Sequence, residues 1–107
     1  MNIVCDPKDL AAAVANGPSA VLFTASWCPF CRAFRPTFER VAGSDLRCSP
    51  VIAEIDDEDN PLWEQWHLDI VPSVLFFDHG TLAHRLDGRD GVGLDEQQLR
   101  QALAHGW

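Results

Sequence analysis

The run Ser19–Ala25 (SAVLFTA) constrains the fold more than any other stretch of this 107-residue chain. It is almost continuously apolar, which is typical of a strand with both faces covered. Such a strand needs helices on both sides of its sheet. Pro29 follows closely and fits the first turn of a helix that runs towards Val41. The stretch therefore predicts a strand that leads directly into a helix, within an α/β fold.

Other segments extend this alternation of strands and helices. Short apolar runs predict further strands at residues 2–5, 51–55 and 73–77. Helix-capping signals stand between and after them, at Asp6–Pro7, Asn60–Pro61 and Asp95. The turn residues 78–80 (DHG) predict a hairpin into 81–86 (TLAHRL). The predicted order is β-α-β-α-β-α-β-β-α, a central mixed sheet of about five strands flanked by about four helices.

Composition and charge exclude several functional classes. The net charge is −8, so the phosphate backbone of a nucleic acid would be repelled. No apolar run is long enough to span a bilayer, and the first ten residues lack the basic and apolar segments of a signal peptide. If the chain is the complete product, we expect a cytoplasmic protein with one domain over residues 1–107. We also expect a monomer that binds no membrane.

Two cysteines, Cys28 and Cys31, lie two residues apart in the motif WCPFC. A zinc site would need four ligands, but Cys5 and Cys48 stand alone and the four histidines are scattered. Burial as small core side chains is common for cysteine. However, it does not explain a pair placed where an apolar strand meets a helix start. We expect Cys5 and Cys48 to have no catalytic role, and the alternative is a regulatory or dimer-forming thiol, which would need to be exposed.

A redox interpretation does explain the position of the pair. At a helix start, the free backbone N–H groups and the helix dipole stabilise a thiolate on Cys28. The thiolate is the nucleophilic form of cysteine. Cys31 lies one helical turn further on, within reach of a mixed disulfide formed by Cys28, and can release the reduced substrate. Cys28 is therefore predicted to attack and Cys31 to resolve.

Several motifs of this chain resemble the thioredoxin family. WCPFC after an apolar strand resembles its active site, and IVPSVLFF resembles its cis-proline segment with the strand that follows. AEIDDEDNP resembles the stretch that leaves its third strand, and further matches are Pro36, Gly80 and Gly88. The resemblance covers nearly the whole chain. It implies a thioredoxin fold with a cis Val71–Pro72 peptide bond facing Cys28, whereas the residues alone also allow an ordinary strand-entry proline.

The resemblance also implies an activity. It implies a thiol–disulfide oxidoreductase that acts on protein disulfides through a redox-active disulfide and needs no metal or organic cofactor. If the protein is a reductase, the family implies a flavin-dependent thioredoxin reductase as its electron donor. The residues implied to shape the substrate site are Trp27, Pro29, Phe30, Val71 and Pro72.

The residues between the cysteines depart from the family pattern. Pro29-Phe30 replaces the usual Gly-Pro, and a proline at this place resembles glutaredoxin and some disulfide-oxidising relatives. A disulfide oxidase or isomerase therefore stays open beside a reductase. A glutaredoxin-like dithiol enzyme fits less well, because Trp27 precedes the motif and residues 88–90 lack the paired glycines expected near a glutathione site. A binding module with an incidental cysteine pair is the non-enzymatic alternative.

A second departure concerns the proton of Cys31. Thioredoxins usually carry a buried aspartate six residues before the first cysteine, and this chain has Leu22 there. The resemblance places Glu54 where the family has a lysine on the neighbouring strand. In one interpretation Glu54 lies under the active site, where burial favours its protonated form and suits proton exchange with Cys31. In the other, Glu54 is an ordinary solvated strand residue.

Overall fold

The computed structural model describes residues 1–107 and contains a five-stranded sheet with four helices. The strands are β1 (Asn2–Val4), β2 (Pro18–Thr24), β3 (Ser49–Glu54), β4 (Ser73–Asp78) and β5 (Thr81–Asp87). The helices are α1 (Pro7–Val14), α2 (Pro29–Gly43), α3 (Leu62–Gln65) and α4 (Glu96–His105). The order along the chain is the predicted one.

The sheet has the spatial order β1-β3-β2-β4-β5. Strands β1, β3 and β2 are parallel, and β4 and β5 join them in antiparallel pairs. The mixed sheet predicted from the sequence is therefore confirmed. Because β2 and β3 are parallel neighbours, their carboxyl ends lie side by side, and Thr24 is the register partner of Glu54.

Both faces of β2 are buried, as its continuous apolar sequence predicts. Val21 and Phe23 belong to a core formed with α1 and α3, whereas Ala20 and Leu22 belong to a second core formed with α2 and α4. Each of these four side chains is 0% exposed. The sheet is thus covered on both sides, and the site at the end of β2 rests on a strand packed from two directions.

Helix starts are fixed by their capping residues. The Asp6 carboxylate accepts a hydrogen bond from the Asp9 N–H at 2.8 Å. Asp95 and Gln98 form a reciprocal capping box at the start of α4, with both bonds at 2.9 Å. At the start of α2, Cys28 itself is the N-cap residue, which places its sulfur at the positive end of a helix of 15 residues.

The short helix α3 starts slightly later than its sequence signal suggests. Pro61 is the N-cap residue and Leu62 the first helical residue. Asn60 still contributes, because its side-chain oxygen accepts from the Leu62 N–H at 2.9 Å and its amide donates to the Cys5 carbonyl at 2.6 Å. None of the helices combines the length and the apolar character needed to cross a bilayer.

Candidate active site

Cys28 and Cys31 lie in contact at the junction of β2 and α2. The Cys31 N–H donates a hydrogen bond to the Cys28 sulfur at 3.3 Å. Both thiols are free, and the residues are only 6% and 0% exposed. The backbone turn is closed by the Cys28 N–H, which donates to the Ala25 carbonyl at 3.2 Å. One sulfur therefore sits at the helix N-terminus and the other just behind it, one turn into the helix.

The segment before β4 faces this pair. The Val71–Pro72 peptide bond is cis, and the Cys28 thiol donates to the Val71 carbonyl at 3.5 Å. The carbonyl of Pro72 accepts from the Gly88 N–H at 3.0 Å. Gly88 has no room for a side chain, because a Cβ there would collide with that carbonyl. The Val71–Pro72 segment therefore contacts the Cys28 sulfur on one side and Gly88 on the other.

The loop before Cys28 is held by Asp56, the second residue after β3. Its carboxylate accepts from the Ser26 N–H at 3.0 Å and from the Ser26 hydroxyl. Its carbonyl accepts from the Trp27 Nε1–H at 2.9 Å. On the other side of the loop, Arg32 Nη1 donates to the Ser26 carbonyl at 2.8 Å. These bonds fix the loop residue Ser26 and the indole of Trp27 beside Cys28 at the start of α2.

The surface around Cys28 is apolar and exposed. The side chains of Trp27 and Phe30 are large hydrophobic groups, with 51% and 41% of each residue accessible. Pro29 between them is also exposed. Val71, on the opposite side of the sulfur, is 6% exposed. The residues that the resemblance assigns to substrate contact are therefore brought together, with Trp27 and Phe30 projecting and Val71 and Pro72 recessed.

Cys31 differs from a solvent-exposed thiol in its acidity. Burial above all, and then its hydrogen bond with Cys28, raise the pKa of Cys31 from 9.0 to about 11. The Ala25 backbone and the Thr24 hydroxyl partly oppose this shift. Cys31 is therefore a neutral thiol at physiological pH, and chemistry at its sulfur requires removal of a proton.

A small cavity of about 130 Å³ adjoins Cys31. Besides Cys31, its lining is mostly polar, formed by Thr24, Ala25, Ser26, Arg32, Arg35, Glu54 and Asp56. The volume is enough for several water molecules. The cavity thus connects the buried Cys31 with the side chains at the carboxyl end of β3.

Glu54 lines this cavity but is not deeply buried. Its side chain is 44% exposed, and its carboxylate accepts from Arg35 Nη1 at 2.8 Å. The two interpretations of the sequence each describe part of this arrangement. Glu54 does face the active-site side of the sheet, as the first requires, but it is ion-paired rather than enclosed beside Leu22. Leu22 packs fully into the core under α2.

The sequence analysis missed two residues of this site. Asp56 is part of an acidic run that looks like a solvated turn, although its place just after β3, beside the end of β2, was a usable signal. Arg35 lies four residues after Cys31 on α2, a spacing that puts both on one helix face. Across the whole structure, no group of three or more His, Cys, Asp or Glu side chains is placed to hold a metal ion.

Comparison with known proteins places this geometry in a family. The Thioredoxin family model matches residues 3–104. A thioredoxin-like protein of Synechocystis is 32% identical over 95 residues, which cover 86% of this chain and 90% of that protein. A bifunctional thioredoxin reductase/thioredoxin of Mycobacterium leprae is 30% identical over 78 residues, covering 72% of this chain and 17% of that longer protein.

Solved structures agree on the fold. The X-ray structure of Fasciola hepatica thioredoxin superposes with a TM-score of 0.82 over 100% of both chains, at 22% sequence identity. At that identity the likeness establishes the fold, and the family match and the Synechocystis relative establish the kinship. The chain belongs to the thioredoxin family.

Proposed function

We propose that this protein reduces disulfide bonds of proteins, through the dithiol of Cys28 and Cys31 in one domain that spans residues 1–107. The observation that carries this proposal is the contact of the two free thiols at the N-terminus of α2, where the Cys31 N–H donates to the Cys28 sulfur at 3.3 Å. Family membership supports thiol–disulfide exchange in general. The direction of electron flow and the role of each cysteine are part of the proposal.

The reaction proceeds in two exchanges. The Cys28 thiolate attacks one sulfur of the substrate disulfide, and the other substrate sulfur leaves as a thiolate and takes up a proton. Cys31 then loses its proton and attacks the Cys28 sulfur, which releases the second substrate thiol. Two electrons pass to the substrate, and the protein ends with a Cys28–Cys31 disulfide. A dithiol or a reductase must restore the reduced form.

The second exchange needs a base, because Cys31 has a pKa of about 11. Glu54 is the carboxylate that we propose for this task, since it lines the same cavity as Cys31. Arg35 holds the carboxylate at 2.8 Å. Water in the cavity would carry the proton across the remaining distance. Glu54 thereby takes over, from the neighbouring strand, the role of the aspartate that Leu22 replaces.

The substrate is a polypeptide that presents its disulfide between two walls. Trp27, Pro29 and Phe30 form the exposed wall, and Val71 with Pro72 forms the recessed wall. A flavin-dependent thioredoxin reductase is the electron donor that we propose. Support comes from the Mycobacterium leprae relative, which by its name joins thioredoxin reductase and thioredoxin. A reductive role fits a reducing compartment such as the cytoplasm.

Cysteine variants test the proposed reaction. The reduced protein should cleave the disulfides of insulin, and Cys28→Ser should abolish this because the attacking thiolate is lost. Cys31→Ser should accumulate a mixed disulfide on Cys28, detectable as a mass increase. Cys5→Ser and Cys48→Ser are the matched controls and should retain turnover. Insulin reduction that persists in Cys28→Ser would contradict the proposal and favour a binding module.

The redox potential of the couple tests the direction of electron flow. We expect a value near that of thioredoxin, about −270 mV. A value near that of strong thiol oxidants, about −120 mV, would contradict reduction and favour the oxidase alternative. Equilibration with glutathione buffers, followed by alkylation of the free thiols, gives this number directly.

Glu54→Gln tests the proton step. We expect the attack of Cys28 to be unchanged and the release of the mixed disulfide at neutral pH to slow by about tenfold or more. The difference should narrow as pH rises towards the Cys31 pKa of about 11, where the thiol ionises without help. Glu39→Gln is the matched control, because Glu39 also pairs with Arg35, at 3.8 Å. Equal release rates in both variants at neutral pH would contradict a role for Glu54.

A further inference from the structure

The loop between β5 and α4 closes on itself through its own hydrogen bonds. The Gly93 N–H donates to the Arg89 carbonyl at 2.9 Å, and the Val92 N–H donates to the same carbonyl at 3.0 Å. Arg89 and Gly93 also pair as an isolated antiparallel bridge. The segment 88–93, which we name the hairpin loop, is therefore a compact unit with its own hydrogen bonds.

Both ends of the hairpin loop are attached to the active site. At its start, the Gly88 N–H donates to the Pro72 carbonyl at 3.0 Å. At its end, Gly93 lies against Phe30, so that a Cβ on Gly93 would stand 2.9 Å from the Phe30 Cβ and 3.1 Å from its Cδ1. Gly93 also has a φ of +76°. Phe30 thus occupies the space that any other residue at position 93 would need.

The attached loop carries an exposed apolar side chain next to the residue that contacts Phe30. Val92 is 66% exposed and directly precedes Gly93. Together with Trp27 and Phe30 it belongs to the few large hydrophobic side chains that the molecule leaves exposed. A polypeptide substrate extends beyond its disulfide and can bury such side chains, whereas a small disulfide reaches the sulfur without touching them. Contacts of this kind raise the rate only for the substrate that makes them.

We propose that Phe30 holds the hairpin loop in position through its contact with Gly93. We propose further that the loop held in this way selects polypeptide disulfides over small ones. This inference rests on the proposed function, and it assigns the second residue between the cysteines a role in substrate selection. Besides its place in the exposed wall, Phe30 is in this respect a positioning residue, because it acts on the loop through its contact with Gly93. The substrate group that contacts the exposed side chains of Trp27, Phe30 and Val92 is an apolar side chain near the reacting cysteine of the substrate.

Substitutions at two glycines of the hairpin loop test its contact with Phe30. Gly93→Ala inserts a Cβ into Phe30 and should displace the loop. Gly91→Ala is the matched control, since Gly91 has a φ of +73°, similar to that of Gly93, but open space around its Cβ. For each variant, the pre-reduced protein is mixed with insulin or with hydroxyethyl disulfide. Acid quenching and alkylation then give the second-order rate constant for each substrate.

We expect Gly93→Ala to lower the ratio of the insulin to the hydroxyethyl disulfide rate constant by about tenfold relative to Gly91→Ala. The redox potential of the cysteine couple should not change. Phe30→Gly should also lower the ratio, because it removes both the contact with Gly93 and a part of the exposed wall. Adding Gly93→Ala to Phe30→Gly should have no further effect, because the side chain that the new Cβ would meet is gone. Circular dichroism melting curves establish that each variant is folded.

The outcomes separate this inference from the proposed function. If the wild-type protein reduces neither disulfide, the proposed function fails and the inference with it. If it reduces insulin but Gly93→Ala leaves the ratio equal to that of Gly91→Ala, the inference alone fails. Additive effects of Phe30→Gly and Gly93→Ala would also overturn it, since they would show that the two residues act independently.

Discussion

At the scale of single residues, the site depends on a few polar contacts around the two thiols. Asp56 binds the loop before Cys28 through its carboxylate and its carbonyl, and Arg35 holds the Glu54 carboxylate beside the cavity at Cys31. Asp56, Arg35 and Glu54 all lie outside the CXXC motif. The motif supplies the sulfur atoms, and the end of β3 supplies the groups that orient the loop and approach the buried thiol.

Asp56→Ala tests the orientation of the loop. The change removes the acceptor for the Ser26 N–H and hydroxyl and loosens the Trp27 side of the active site. We expect kcat/KM for insulin to fall by about tenfold, because the misplaced loop no longer aligns the substrate with Cys28. Asp59→Ala removes the same charge from the same exposed run and is the matched control. Equal effects of the two variants would show that only the negative charge matters.

At the scale of secondary-structure elements, the fold was largely predictable because its signals are local. Capping residues such as Asp6 and Asp95 mark helix starts by hydrogen bonds within a single turn. The apolar run of β2 marks a buried strand through its own composition. Contacts between elements were harder to predict, since the pairing of Arg35 with Glu54 depends on the register of β2 and β3 and on where α2 crosses them. The burial of Glu54 could not be settled from the alternation of residues along β3.

The same limit applies to the hairpin loop. Gly91 and Gly93 suggest a turn, but nothing in their spacing places the loop against Phe30. That contact joins residues more than sixty positions apart, and it depends on the packing of α4 against α2 and on the bond of Gly88 to Pro72. Sequence analysis therefore identified the sulfur chemistry, whereas the surroundings that tune it became visible only in the folded chain.

The capping box of α4 gives a prediction at this scale. Asp95→Ala removes the acceptor for the Gln98 N–H and leaves that donor without a partner at the helix start. We expect the free energy of unfolding to decrease by about 1 kcal/mol, measured by urea denaturation. Insulin reduction should persist, because α4 lies on the second core, away from the thiols. Glu58→Ala, an exposed acidic residue without a cap, is the control, and an equal loss of stability there would contradict the assignment.

At the scale of the whole molecule, stability and redox chemistry both involve thiols that the fold shields from solvent, the buried Cys31 and the partly buried Cys48. Cys31 is the thiol that attacks in the second exchange of the proposed reaction. Cys48 directly precedes the first residue of β3, at the end of that strand farther from the active site. Burial, followed by the charge of Asp45, raises the pKa of Cys48 from 9.0 to about 11. Both thiols are therefore held in the neutral form by the fold, although they serve different parts of the molecule.

These two thiols predict how stability depends on alkaline pH. Between about pH 9 and pH 11 the unfolded chain releases thiol protons that the folded chain still holds. The unfolded state then binds fewer protons, so the free energy of unfolding is fully retained below pH 9 and decreases as pH rises towards 11. Urea denaturation under reducing conditions measures this slope.

Cys48→Ala should make the decrease shallower by removing one of the two groups, whereas Cys5→Ala, at an exposed thiol, should leave it unchanged. A slope in Cys48→Ala equal to that of the wild-type protein would show that burial of Cys48 does not contribute to the alkaline loss of stability.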